Sequence, residues 1–383
     1  MIIPTIGRMS GNRWALDFAR FLSKQVDEVK VVVHTLPPTL LPLVRDKLGS
    51  LDCDILRVES VSTSPIEMFH RQFGNKMTRE IVKSLEPQIA QKPPDVIFLV
   101  GNECHSLGRT LCKLFSRRLP GVTKPILCVA PADLPDNALL LETKSPSILR
   151  GFLRFCAYPF VNLIQKWSFR SFDFVIPNSP WTKALVETLY EISCTSPLIL
   201  LDDETFDRPL DVKRGEYIAV ATSDLDTTLS KLVSDLHESG VPIVAFGPDR
   251  VGSVPYVGYL SEQDLVRLIA GARATLFLFN YEALGMLPIE SLALGTPVIC
   301  TRRQGPHALF SRNKFVTLCT NEYLPIYRAC MDALSPRPDS ARIEDECRST
   351  VQGFMGDNAV TQLLNTLDLK ASNHLSCNYQ QSV

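Results

Sequence analysis

Short runs of apolar, mostly β-branched residues recur along the chain, separated by longer stretches whose apolar residues fall at helical spacing. Strands are predicted over 29–33, 96–100, 126–130, 174–176 and 198–201, and a second series over 217–221, 243–246, 275–279, 297–300 and 315–318. These runs are apolar on both faces, as parallel strands are when helices cover the sheet above and below. Segments 13–25, 182–190 and 261–272 carry the helical period. Strand alternating with helix predicts an α/β protein with doubly wound parallel sheets.

The two series are separated by 202–209, Asp-Asp-Glu-Thr-Phe-Asp-Arg-Pro, a polar stretch that reads as an interdomain linker. An N-terminal Rossmann-like domain is expected over 1–205 and a C-terminal one over 206–345. Beyond Asp339 a helical pattern runs to Leu367 with no strand after it. It is expected to pack back as a covering helix over 346–370, followed by a flexible polar tail over 371–383. No repeat at a solenoid period is visible.

Composition narrows the class. A chain of 383 residues fits two domains, at roughly 100–200 residues each. A hydrophobic content of 45% excludes disorder as the main state. With 40 Lys+Arg against 41 Asp+Glu the net charge is −1, whereas a nucleic-acid binder would show a strongly basic face. The 11 cysteines stand singly, and Cys128 and Cys300 lie in apolar strings. Core packing in a reducing cytosol is expected of them, not a disulfide framework or a zinc ribbon. The first residues lack the basic and apolar regions of a secretory signal, and no apolar run is long enough to span a bilayer. A cytoplasmic location follows as the expectation.

Segment 150–170 mixes Arg150, Arg154, Lys166 and Arg170 with Phe152, Leu153, Phe160, Leu163, Ile164 and Trp167. As an amphipathic helix it would rest on an anionic membrane face, as a peripheral contact near a lipid-linked acceptor. The other reading is a helix buried against the sheet.

The most informative stretch is 281–300, Tyr-Glu-Ala-Leu-Gly-Met-Leu-Pro-Ile-Glu-Ser-Leu-Ala-Leu-Gly-Thr-Pro-Val-Ile-Cys. Glu282 falls in the loop at the carboxyl end of a predicted strand, where open α/β sheets bind ligands. Pro288 is tolerated near a helix start, because first-turn amides lack intrahelical partners. Gly285 lets the backbone approach a ligand, and the amides of Gly285, Met286 and Leu287 would face an anion there. Glu290, a turn further in, presents an acceptor for a vicinal diol.

Glu282 and Glu290 match the E-x7-E motif of retaining GT-B glycosyltransferases. The phrase from Glu290 to Ile299 is similar to E-A-M-A-x-G-x-P-V-I of glycosyltransferase family four. Val257 to Ser261, Pro177-Asn178-Ser179 with Trp181-Thr182, Asp203 to Phe206, and Arg13 to Arg20 resemble further segments of that family. The resemblance therefore runs from about residue 4 to about residue 367. It implies a GT-B fold, two Rossmann-like domains facing a cleft. It also implies retaining transfer from a nucleotide-sugar to a saccharide, lipid-linked or protein-linked acceptor, with no metal or other cofactor. By the same resemblance Glu290 holds the ribose hydroxyls, Glu282 addresses the donor sugar, and the backbone at 285–287 receives the diphosphate.

The chain also departs from the family. In place of G-G-x-x-R it has Met9-Ser10-Gly11-Asn12-Arg13. In place of a cationic G-R…K it has Ala221-Thr222-Ser223-Asp224-Leu225-Asp226-Thr227, with no base before Lys231. Ser10, Gly11, Thr222, Ser223, Lys231 and Arg302, beside Arg303, are the replacement candidates on the phosphate side. The family's active-site His falls at about Pro131, and the nearest His is His105, either a catalytic residue or a solvated loop residue. Asp133 and Asp136 are acceptor-side candidates or plain loop acids. The lost cations keep two alternatives open, a degenerate GT-B binding or assembly subunit and a nucleotide-sugar epimerase.

Overall fold

The computed structural model describes residues 1–5, 10–59, 75–101, 106–131, 159, 163–206, 212–336 and 340–367. His105, Asp133, Asp136 and the expected tail over 371–383 lie outside the described residues. The chain forms two compact units, one of Met1–Leu200 with the residues from Ala359 onward, the other of Leu201–Asn358.

Unit 1 runs β1 (Ile2–Thr5), α1 (Ser10–Ser23), β2 (Lys30–Leu36), α2 (Leu41–Leu48), β3 (Asp52–Val58), α3 (Asn75–Gln91), β4 (Val96–Val100), α4 (Leu107–Arg117), β5 (Ile126–Ala130), α5 (163–169), β6 (Phe174–Val175) and α6 (Pro180–Tyr190). Its strands form one parallel sheet in the order β3-β2-β1-β4-β5-β6. Successive strand residues point to opposite faces. Ile3, Val31, Val33, Phe98 and Val100 enter the core under α1, while Ile2, Val32, Ile97 and Leu99 enter the core under α3 and α4.

Two of these strands escape the hydrophobic pattern. β1 has four residues and contains Pro4, and its pairing with β2 steps from Ile3↔Val33 to Thr5↔Thr35 across that proline. Toward β4 it pairs only through Ile2↔Leu99, so the missing proline N–H breaks little of the ladder. β3 is the sheet edge, where Asp52 and Asp54 meet Lys30 at 2.8 and 3.3 Å. Those charges dilute its apolar run and discourage edge pairing. Conversely, the predicted strand over 198–201 joins no sheet. Leu198 and Leu200 pack into the core of unit 1, and Leu201 makes a single bridge to Met355.

Unit 2 runs α7 (Asp203–Phe206), β7 (Ile218–Ala221), α8 (Thr227–Glu238), β8 (Ile243–Phe246), α9 (Glu262–Ala270), β9 (Ala274–Phe277), α10 (Met286–Ala293), β10 (Val298–Thr301), α11 (Gln304–Phe310), β11 (Val316–Cys319), α12 (Tyr323–Leu334), α13 (Ser340–Ser349) and the start of α14 (356–367). Its five parallel strands follow the order β11-β10-β9-β7-β8.

The chain changes units between Leu200 and Leu201, ahead of the boundary expected after Thr205. The polar stretch expected to link the domains begins as a packed part of unit 2. Asp202 and Phe206 are buried, and the Thr205 hydroxyl lies 3.1 Å from Asp202 Oδ2 and 3.0 Å from Glu262 Oε1. The expected covering helix is two helices, broken by a 3-10 turn at Gln352–Phe354. α13 stays in unit 2, where Glu344 accepts from Arg214 Nε at 2.7 Å. Beside the break, the Leu201 N–H donates to the Phe354 carbonyl at 2.8 Å and the Gly356 N–H to the Leu201 carbonyl at 3.0 Å, so outgoing and returning segments are paired. α14 then places Ala359, Val360, Leu363 and Leu367 in the core of unit 1. Among the described residues no helix is long and apolar enough to cross a membrane.

Leu363→Ala should therefore destabilise the protein by about 2–5 kcal/mol. Gln362→Ala, one position away on the exposed side, should stay within about 0.5 kcal/mol. Urea unfolding followed by circular dichroism reads both, and equal effects would remove α14 from the core.

Candidate functional site

In unit 2 the chain leaves β7 toward β8 on one side and β9 toward β10 on the other. The loops after β7 and β9 therefore diverge at their carboxyl ends, the point where open α/β sheets bind ligands. Asp226 and Asn280 tie the two loops together there. Asn280 Nδ2 donates to Asp226 Oδ2 at 2.7 Å, while Asp226 Oδ1 caps α8 by accepting from the Leu229 amide at 2.8 Å.

Glu282 sits in the loop after β9, half-buried. Its Oε1 accepts from the amides of Leu284 and Gly285, both at 3.0 Å. Its own N–H donates to Gln304 Oε1 at 2.8 Å, and its carbonyl accepts from the Gly305 amide at 3.1 Å. The carboxylate is thus held in one orientation at the start of α10. Of the three amides expected to face an anion, that of Gly285 is already engaged by Glu282. Those of Met286 and Leu287 belong to the first helical turn, where no intrahelical acceptor exists.

Gly285 caps α10 at φ +81, a conformation that a side chain would strain. Its added Cβ would also lie 3.0 Å from Pro306 Cγ. Pro288 stands in the first turn of α10, where its missing N–H breaks nothing. Ile289, Leu292 and Ala293 bury one face of the helix, and Ser291 Oγ donates to Thr275 Oγ1 of β9 at 2.9 Å. Glu290 lies between these buried positions in the second turn and is half-buried. Cys300, in β10, is a buried thiol. Burial pushes its pKa well up, and the nearby charge of Glu282 adds to the shift.

The strand ends around this loop are laced together. Thr301 Oγ1 accepts from the Phe279 amide at 3.3 Å and donates to Asn321 Oδ1 at 2.6 Å, and Asn321 Nδ2 donates to the Phe279 carbonyl at 3.0 Å. No motif marks Thr301, Asn321, Asn280 or Gln304, and sequence reasoning missed all four. Gln304 is the most telling of them, with φ +47 in a non-glycine residue. Strain of this kind costs of order 1–3 kcal/mol and persists only where neighbours enforce it.

The phosphate-side candidates divide. Thr222 is 0% exposed; its hydroxyl donates to the Phe246 carbonyl at 3.1 Å and accepts from the Asp249 amide at 3.2 Å. It is a structural group, and its hydroxyl leaves the set available to an anion. Ser223 is exposed and donates to Asp224 Oδ2 at 2.7 Å. Lys231, Arg302 and Arg303 are exposed and form no ion pair among the described residues. In unit 1, Ser10 and Gly11 open α1, which starts three residues before the predicted helix, so they are helical and not part of a loop.

Residues 252–323, which contain both carboxylates, match the family model described as Glycosyl transferases group 1. No curated protein matches the chain. Solved structures similar to it include sucrose-phosphate synthase from Thermosynechococcus elongatus, 14% identical with a TM-score of 0.67 over 97% of this chain and 100% of that one. Anabaena HepE in complex with UDP-glucose is 13% identical with a TM-score of 0.62, over 96% of this chain and 99% of that one. The fold is GT-B. The N-terminal domain of a Candida albicans trehalose-6-phosphate phosphatase is also similar, at 10% identity and a TM-score of 0.62 over 95% of each chain. A GT-B fold thus comes with differently described activities, and function has to be argued from the site.

Gln304 gives a test of that site. Gln304→Ala keeps the strained backbone and orphans the Glu282 amide, so it should cost about 1–3 kcal/mol. Gln304→Gly loses the same acceptor but relieves the strain, and should be less destabilised by about 1 kcal/mol. Chemical denaturation of the two variants reads the difference, and the reverse order would contradict the strained geometry.

Proposed function

We propose that the chain is a retaining glycosyltransferase of the hexosyltransferase kind, which passes a sugar from a nucleotide-sugar to a saccharide, lipid-linked or protein-linked acceptor in the cytoplasm. The observation that carries this reading is the placement of Glu282 and Glu290 on either side of the Gly285 cap, at the edge where the β7 and β9 loops diverge, inside the matched family segment. The donor lies against unit 2. Glu290 accepts from the ribose hydroxyls. Glu282, its carboxylate steadied by two amides, accepts from a hydroxyl of the donor sugar.

As the anomeric carbon–oxygen bond breaks, positive charge grows on the sugar ring and negative charge on the departing diphosphate. Donors already aimed at that charge lower the barrier most. The Met286 and Leu287 amides, with the positive end of the α10 dipole, serve that role. Lys231 and Arg302 supply charge in place of the family's cationic pair, with Ser223 as a further donor in unit 2. The acceptor oxygen bonds the anomeric carbon on the face the leaving group vacates, and its proton passes to the departing phosphate oxygen. A catalytic part for His105 stays an expectation of the family resemblance. The scheme uses no metal or other cofactor.

UDP-glucose, carried by the similar HepE structure, is the first donor to try. Glu290→Ala should weaken its binding in calorimetry by about 1.5–3 kcal/mol, the usual size for hydrogen bonds to a charged group. Unchanged affinity would withdraw the ribose role. Glu282→Gln should lower turnover far more than donor affinity, because its contact strengthens in the transition state. An equal loss in both would make it a ground-state binder. Donor binding with neither transfer nor hydrolysis would favour a degenerate subunit, and acceptor-independent inversion of the sugar would favour an epimerase.

A further inference from the structure

Unit 1 carries a helix that is turned inside out. In α5 (163–169) the buried residues are Gln165, Ser168 and Phe169, while Leu163, Ile164 and Trp167 are 44%, 40% and 50% exposed. The orientation is enforced from behind. The Tyr190 hydroxyl donates to Gln165 Oε1, and the Phe169 and Tyr190 rings meet at 5.4 Å between centroids. Trp167 stands four residues after Leu163 and three after Ile164, the two spacings that make neighbours on a helix surface, so the three form a single apolar cluster. The helix is also anchored on the sheet, since Phe169 lies in the core with Ile97, Leu99 and Leu127, so its sheet side is buried while its outer face is apolar. Residues 150–158 and 160–162 of the segment singled out in the sequence lie outside the described residues.

The cluster adjoins a one-signed charge pattern. Arg170 follows Trp167 by three positions and is exposed. In α4 (Leu107–Arg117) the exposed Arg109, Lys113 and Arg117 recur at i, i+4 and i+8 along one broad stripe. The Arg109 guanidinium lies over the Trp167 ring at 5.7 Å, which joins stripe and cluster into one surface. Residues 107–117 and 163–170 contain no acid. Three acids are paired with other cations, Glu191 with Lys166 at 2.5 Å, Glu86 with Arg118 at 2.8 Å and Asp173 with Lys124 at 3.1 Å, and Glu191 also feels the charge of Arg170. Arg109, Lys113, Arg117 and Arg170 form no ion pair among the described residues. The whole chain carries a net charge of −1, so this positive surface is segregated and does not reflect a basic protein.

We propose that this face docks unit 1 onto an anionic phospholipid surface. A bilayer interface accepts the amphipathic indole at headgroup depth and small aliphatic side chains just below it. Unpaired arginine and lysine beside them gain from the negative surface potential of such a membrane. The inference does not depend on glycosyl transfer, and its test reads lipid binding alone.

The experiment is sedimentation of the full chain with vesicles of phosphatidylcholine, with and without phosphatidylserine. Binding should rise about tenfold or more with the anionic lipid and fall as salt is added, because the Debye length shortens. The doubly substituted Lys113→Glu, Arg117→Glu protein should lose the dependence on phosphatidylserine. Trp167→Ser should weaken binding to the same vesicles and, since the residue is half-exposed, leave the thermal midpoint near that of the parent. Failure to bind anionic vesicles, equal binding to both lipids, or wild-type binding by either variant would overturn the proposal. So would full competition by heparin with Trp167→Ser unaffected, which would mark a simple polyanion site.

Discussion

The carboxyl edge of unit 2 depends on the interlock between the Glu282 loop and the turn that opens α11. At Gly305 an added Cβ would lie 1.9 Å from the Ala283 carbonyl oxygen, so the two backbones touch at a place no side chain can enter. Two hydrogen bonds close the contact, from the Gly305 amide to the Glu282 carbonyl and from the Glu282 amide to Gln304 Oε1. Gln304 adopts its left-handed backbone to make the second bond. A fixed loop then lets the Glu282 carboxylate accept from two amides of its own turn and sets the start of α10. Whatever binds at this edge meets a rigid carboxylate, which is what a preorganised site requires.

The charge at that edge is arranged differently from what the family resemblance implies. Where a cationic pair was expected after β7, the chain has Asp224 and Asp226, and Asp226 is a helix cap that also holds Asn280. Thr222, the nearest hydroxyl, is sealed inside by Gly247, whose φ of +121 brings its backbone against Thr222; a Cβ there would lie 2.7 Å from Thr222 Oγ1. The first turn of α10 has free amide ends, and Arg302 and Arg303 after β10 are exposed.

Unit 1 shows the same separation of scaffold from surface. Its sheet is buried on both faces by alternating residues, as parallel sheets must be. The helix at 163–169 breaks the rule by burying a glutamine and exposing a tryptophan. A tyrosine at the end of α6 holds the glutamine there by donating to its Oε1, while the glutamine's Nε2 is buried with no partner among the described residues.

Much of this was legible from the sequence by itself, because burial on two faces leaves a local imprint. Continuous apolar runs located β2, β4 to β6 and the strands of unit 2, and the spacing of Glu282, Gly285, Pro288 and Glu290 located the site loop on its helix. The pattern was weakest where local signals were diluted, in β1 by a proline and in β3 by edge charges. It misread 198–201, where an apolar run serves a core without joining a sheet. Only the tertiary structure decided that α14 returns to unit 1, that Thr222 is structural, and that Gln304 is bound to Glu282. The physical reason is common to all three. Periodicity records which side of an element is dry, but a hydrogen bond between residues 282 and 304, or a hydroxyl sealed by residue 246, exists only once strand order brings distant loops together.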